Sequence, residues 1–167
     1  DDPRVVLTDN TEKKLEDLFN YYVERDFVTP DYEKRLEKKL SGLLTEASVK
    51  DLYHEARVEH GAFRARFPFA HKNQAGLIIK AIKPLHLAHK DPALAYEHGW
   101  SWVGKIRQLQ KYKEFPKHVL VAAQAPSKAD EQAFSIYKEI REDFLRLNVQ
   151  FAELSDVEQI KSFARLQ

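Results

Sequence analysis

Between His60 and Lys90 the chain runs 31 residues without an Asp or Glu, yet carries six Lys/Arg and four of its seven histidines. Guanidinium and ammonium groups at this density suit one task above others, the neutralisation of phosphate or carboxylate oxygens. The candidate contacts for nucleic acid are Arg64, Arg66, Lys80 and Lys83, with Lys72 and His86 at the margin. The formal net charge of the whole chain is +1, so a local +6 is offset by −5 in the remainder. That asymmetry describes a basic face on an otherwise acidic body and points to an anionic partner, nucleic acid or an acidic protein. The sequence pI of about 8.1 is lower than a dedicated DNA binder would show.

Other chemistries find less support. His86 and His89 are three apart, with His71 and His98 as possible neighbours, but no standard zinc spacing is present and no metal site is expected. With no Cys there is no thiol nucleophile, disulfide or Cys-ligated metal. The serines lack a Gly-x-Ser-x-Gly elbow, and the five glycines are scattered singly, so no phosphate-cradling loop is present. Trp102 fits a buried helical stripe, whereas Trp100 stands on another face of the same helix.

The elements that must position these groups follow from periodicity. Leu15, Leu18, Phe19 and Tyr22 share one helical face, and Thr29-Pro30-Asp31 reads as cap, first-turn proline and early acid for a second helix bearing Leu36, Leu40, Leu43 and Leu44. A further helical turn or two is expected over 45–54. After Glu55 the period falls to two. Phe63, Ala65, Phe67 and Phe69 alternate with Arg64, Arg66 and Pro68, which predicts a strand with a buried and a solvated face. Asn73-Gln74-Ala75-Gly76 predicts a turn and 77–87 a second strand, while 56–60 offers a third, shorter one. Asp91-Pro92 opens a helix whose stripe is Ala95, Gly99, Trp102, Ile106 and Leu109. The apolar run 119–123 predicts a strand covered on both faces. Ser127 then opens a helix with Ala133, Tyr137, Ile140, Phe144 and Leu147 inward, 149–153 forms a last strand, and Ser155-Asp156-Val157-Glu158 reads as a capping box for a terminal helix.

The expected class is a mixed α/β sheet: N-terminal helices, an antiparallel meander, then α-β-α-β-α, with 1–54 as a helical segment and 55–167 as the α/β domain. A chain of 167 residues builds a core large enough to need no staple. No apolar run approaches the roughly 20 residues that span a bilayer, so no membrane partner and a cytoplasmic location are expected. The chain holds no Met and opens on Asp1-Asp2-Pro3, from which a preceding portion is expected.

This succession resembles the restriction-endonuclease-like fold. That resemblance implies a carboxylate on the second core strand and a carboxylate-x-Lys triplet on the third, with the acids holding Mg²⁺ and the lysine supporting the attacking water. Here the triplets are Ile78-Ile79-Lys80 and Ala81-Ile82-Lys83, and 63–72 holds no acid. Only the lysines match. A rival reading as a Mg²⁺-dependent nuclease would have to recruit Glu55 or Glu59 to Lys80. Residues 7–24 also resemble part of an uncharacterised family of bacterial and phage-associated proteins, which implies a further domain ahead of them. The expectation is a non-catalytic or degenerate nuclease-like domain without a cofactor that binds nucleic acid or an acidic partner through the meander, in a phage or mobile-element setting. A protein-interaction or scaffold role is the remaining alternative.

Overall fold

The computed structural model describes residues 30–166. The expected helix through Leu15 to Tyr22, the Thr29 cap and the segment 7–24 lie outside the described residues. The fold below is that of the compact unit Arg35–Gln167, with the start of its first helix. Five strands form one sheet in sequence order: β1 (His54–His60), β2 (Phe63–Lys72), β3 (Ile78–His86), β4 (His118–Gln124) and β5 (Gln150–Glu153). β1, β2 and β3 pair antiparallel as a meander, and β3, β4 and β5 pair parallel. The helices are α1 (Pro30–Glu46), α2 (Pro92–Leu109), α3 (Glu131–Arg146) and α4 (Val157–Ala164). The class is therefore mixed α/β. In place of further α-helix over 45–54 there is a single 3-10 turn, Lys50–Leu52, preceded by Ser48 at φ 60°.

Helices cover both sheet faces because both faces are apolar. On one side α2 and α3 bring Trp102, Ile106, Leu109, Tyr137, Ile140 and Phe144 against Val58, Ala65, Phe67, Ala81, Leu85, Val119 and Val121. On the other, Leu36, Leu40, Leu43 and Leu44 of α1 join Ile160 and Phe163 of α4 against Phe69, Ile82, Leu120 and Ala122. β4 contributes alternate residues to each cluster, which explains its continuous apolar run. No helix among the described residues is long and apolar enough to cross a membrane.

Strict alternation in β2 fails at Pro68. Ala65 and Phe67 join the α2/α3 face, but Phe69 joins the α1/α4 face, and Phe63 at the hairpin tip is 40% exposed. The register with β1 slips over this stretch, from Ala56 opposite Phe67 to His54 opposite Ala70. Proline cannot donate to the ladder, and the extra residue of a bulge absorbs it while reversing the faces beyond. A second slip lies between His71 and Lys72. The turn between β2 and β3 closes as expected, with Gly76 at φ 82°, a value that suits glycine, and the Leu77 amide donating to Asn73 Oδ1.

Two caps differ from their sequence assignment. Asp156, not Ser155, caps α4 by accepting from the Gln159 amide, and Asp130 caps α3 by accepting from Ala133 while Ser127 closes a small turn on Ala129. In both segments the acid stands immediately before the first helical residue. Asp91 caps α2 with Pro92 as its first residue.

Helices α2 and α3 cross closely at Gly99. A methyl placed there would run into Ile140 Cδ1, with Ile140 Cγ1 and Cγ2 at 3.0 Å. Cδ1 can rotate away, but the two γ carbons are fixed on their Cβ. Gly99→Ala is accordingly expected to lower stability by about 1–2 kcal/mol in urea unfolding, overpacking outweighing the better helix propensity of Ala. Ile140→Val in that background should recover part of the loss, although alone it costs about 1 kcal/mol.

Candidate functional site

The nuclease resemblance and the basic-face reading converge on Lys80 and Lys83, and Lys80 is the one that the nuclease reading pairs with an acid. It sits on β3 opposite His71 of β2, and its Nζ donates to the carbonyl oxygens of Phe163 (2.7 Å) and Arg165 (2.9 Å) at the C-terminal end of α4. Between those two, the Tyr53 hydroxyl donates to the Ala164 carbonyl at 2.7 Å. The last carbonyls of a helix lack intrahelical donors and carry the negative end of its dipole, so an ammonium and a buried phenol are apt partners. Burial holds the Lys80 amine below its ordinary pKa and pushes the Tyr53 phenol up to about 12. Among the described residues no carboxylate forms an ion pair with Lys80.

Arg66 is committed in another way. Its guanidinium meets Glu37 of α1 through Nη1 (2.5 Å) and Nη2 (3.4 Å), and Glu55 of β1 through Nε (3.0 Å) and Nη2 (3.4 Å). The hydrogen bond from Arg66 holds the Glu55 carboxyl below its ordinary pKa, with Arg57 adding a weaker attraction from 3.9 Å. Hydrogen bonding to Glu37 and, after it, to Glu55 raises the Arg66 pKa further still, against burial, which lowers it. The compensation has a local cause. Arg57 and Arg66 lie directly opposite in the β1–β2 ladder, where like charges repel, and the Glu55 carboxylate reaches both. Glu37 was not marked by the sequence as a site residue. It is the position beside Leu36 on an amphipathic helix, and only the packing of α1 over β2 brings it to Arg66.

The remaining candidates are dispersed. Lys80 and Lys83 are three residues apart on a strand and so face opposite sides of the sheet. Lys83 is buried, with Nζ 4.3 Å from the Trp102 ring centroid, and Lys105 Nζ stands 4.4 Å from the same ring. His86 is buried at the end of β3, edge-on to His89 at 4.5 Å, and His89 is edge-on to His98 of α2 at 5.8 Å. Lys72 is exposed and lines a cavity of about 310 Å³ with Asp51, His54, Glu55 and His71. Glu59 is exposed, opposite Arg64 in the ladder. Among the described residues no group of three or more His, Asp or Glu could hold a metal ion.

Arg64 and Lys72 are the two of the six that are exposed beside a cavity, and they differ in surroundings: the Lys72 cavity holds Asp51 and Glu55, that of Arg64 no acid. A cavity of about 510 Å³ lies between the β1–β2 tip, Ala62, Phe63 and Arg64, and the α2 residues Gly104, Lys105 and Gln108. The tip is held in place by His60, stacked on Tyr112 with ring centroids 3.4 Å apart. One turn to either side of Gly104 along α2 lie the exposed Trp100 and Arg107. Sequence reasoning passed over this surface, but a signal was there: 98–113 is a second acid-free run, with Lys105, Arg107, Lys111 and Lys113. Compared with protein-family models, curated proteins and solved structures, the chain finds no match.

Two outcomes check these assignments. Lys80→Met keeps the aliphatic stem and removes the ammonium, so it should cost about 1.5–3 kcal/mol in urea unfolding, the range for hydrogen bonds to a charged donor. Glu55 has a depressed folded-state pKa, so its stabilising contribution is complete above its ordinary value of 4.5 and is lost as pH falls through the folded value. Glu55→Gln should therefore show a shallower loss of stability than wild type on acidification below that point, followed by urea midpoints across pH; because the pair is exposed, the difference is small.

Proposed function

We propose that this is a non-catalytic domain of the restriction-endonuclease-like type that binds nucleic acid through the β1–β2 tip and the basic side of α2. The order of elements, a helix, an antiparallel three-stranded meander, then helices alternating with parallel strands, supports the fold assignment. The observation that carries the non-catalytic reading is the engagement of Lys80. A lysine that supports an attacking water needs its amine beside a metal-holding carboxylate; here the amine closes the end of α4 instead. Glu55, the acid that a displaced nuclease site would recruit, is held by Arg66, and the guanidinium between Glu37 and Glu55 stands where a pair of acids would otherwise attract a cation.

The binding half of the reading rests on a smaller set of cations than the acid-free run suggests. Arg66, Lys80 and Lys83 each have an internal role, so Arg64 is the meander residue best placed to meet a phosphate. Lys105, Arg107 and Lys111 of α2 and the segment after it extend the positive surface past the cavity. Such contacts position a nucleic-acid backbone without reading its sequence.

The test is binding of the full chain to labelled single-stranded and duplex oligonucleotides across a salt series. Affinity should fall as salt rises, and Arg64→Ala should weaken binding at every sequence and reduce the log–log salt slope by about 0.9 on a duplex, the value for one lost phosphate contact. No binding at low salt, or an Arg64→Ala variant indistinguishable from wild type, refutes the binding reading. Mg²⁺-stimulated cleavage that disappears in Lys80→Met, with folding intact, refutes the non-catalytic one.

A further inference from the structure

On the exposed side of α2, Tyr96 and Trp100 stack one turn apart, with ring centroids 5.1 Å apart and planes tilted by 22°. Both remain open to solvent, Trp100 at 48% and Tyr96 at 37%, which places a stacked aromatic pair, one face of each ring against the other, on the outside of a helix whose inner stripe is already filled by Ala95, Trp102, Ile106 and Leu109. An indole left half exposed keeps apolar surface that folding has not removed from water. Its neighbour Trp102 shows the contrast, being 9% exposed with the Lys83 and Lys105 amines close to its ring.

The row continues beyond Trp100. Gly104 follows at the next turn, and a Cβ added there would meet nothing within 4 Å, so the helix surface is open to close approach. Gln108 follows a turn later at the wall of the cavity that also holds Phe63 and Arg64. Arg107, seven residues from Trp100, returns to the same side, and Lys111 is held near this end by donating to Gln108 Oε1. From Tyr96 to Gln108 the helix rises about 18 Å, and along that length aromatic faces give way to cations and a concavity.

We infer that the nucleic acid bound here is single-stranded, with bases stacking on the Tyr96–Trp100 surface and the backbone running toward Arg64 and Arg107. The inference rests on the nucleic-acid reading above and adds the strand class to it. The reason is physical: a duplex buries its base faces against one another, so exposed rings gain a stacking partner only from an unpaired strand, while cations beside them serve the phosphates. A second copy of the chain is a poorer occupant, since it would bring the same Arg64, Lys105 and Arg107 to face themselves.

The experiment measures binding of the full chain to a labelled oligothymidylate and to a blunt duplex of mixed sequence at low salt, for wild type, Trp100→Ala, Trp100→Phe and Arg64→Ala. Trp100→Ala should weaken the single strand about 5- to 150-fold, the effect of losing one base–aromatic stack, leave the duplex unchanged, and still unfold cooperatively well above the assay temperature. Trp100→Phe should retain most of the affinity, and Arg64→Ala should weaken both ligands. Equal loss on both ligands, or none on the single strand, overturns the stacking inference while leaving the charge-based reading in place if Arg64→Ala still acts. Absence of wild-type binding to either ligand overturns both.

Discussion

The C-terminal end of α4 is the point on which the rest of the interpretation turns. Three successive carbonyls, of Phe163, Ala164 and Arg165, are taken by two side chains from distant elements, the Lys80 ammonium on β3 and the Tyr53 hydroxyl just before β1. Without them the helix would end with unsatisfied acceptors against the sheet, and each such group costs about 1–3 kcal/mol when buried. The same contacts join the last helix of the chain to the meander, fixing α4 over Ile82 and Leu120 where Ile160 and Phe163 complete the core. A lysine at this position on the third strand therefore has a sufficient structural reason to be there. Its likeness to a catalytic lysine is one of placement and not of surroundings.

The second constraint is electrostatic. An acid-free run of 31 residues is not a uniformly positive surface, because strands take their counter-charges from neighbours in space. Glu37 comes from α1 and Glu55 from β1, and both converge on Arg66. Lys80 finds carbonyl dipoles and Lys83 an indole face. What remains of the run as exposed charge is Arg64 on the hairpin tip, Lys72 before the next turn and Lys90 at its end. Burial and pairing thus convert much of a conspicuous sequence feature into internal structure, and shift attention to α2, where exposed cations and exposed rings share one side.

Much of the fold was legible because long elements average over many residues. The stripes of α2 and α3 follow from spacing alone, as does the doubly covered β4, since a run of five apolar residues without a polar face has to be sandwiched. Parity in β2 was not legible past Pro68. Alternation of Phe63, Ala65, Phe67 and Phe69 is a correct description of the sequence, but a proline in a paired strand forces a bulge, and one extra residue moves Phe69 to the opposite core. In the site, the opposition of Lys80 and Lys83 could be read from their odd spacing. The engagement of Arg66 could not, because Glu37 is 29 positions away and meets it only through helix-on-sheet packing. The α2 surface was overlooked for a different reason: the buried role of Trp102 accounted for the aromatic pair, and Trp100 two residues earlier was left without an assignment.

A binding surface of this kind gains from rigidity, since immobilising loops and long side chains on association offsets part of the contact energy. Each part of the proposed track is anchored by something other than its ligand. The β1–β2 tip is paired at six residues of β1 and pinned by the His60–Tyr112 stack. α2 is held against α3 by the close approach at Gly99 and Ile140, and against the sheet by Trp102, Ile106 and Leu109. Tyr96 and Trp100 already lie stacked on one another, so neither ring must be ordered when a base arrives. The buried half of the same helix does the positioning. A core in which Lys83 and Lys105 close over Trp102 leaves Trp100 as the outward-facing indole, and the polarity of α2, packed on one side and aromatic with cations on the other, follows from how the helix is seated and not from a separate functional insertion.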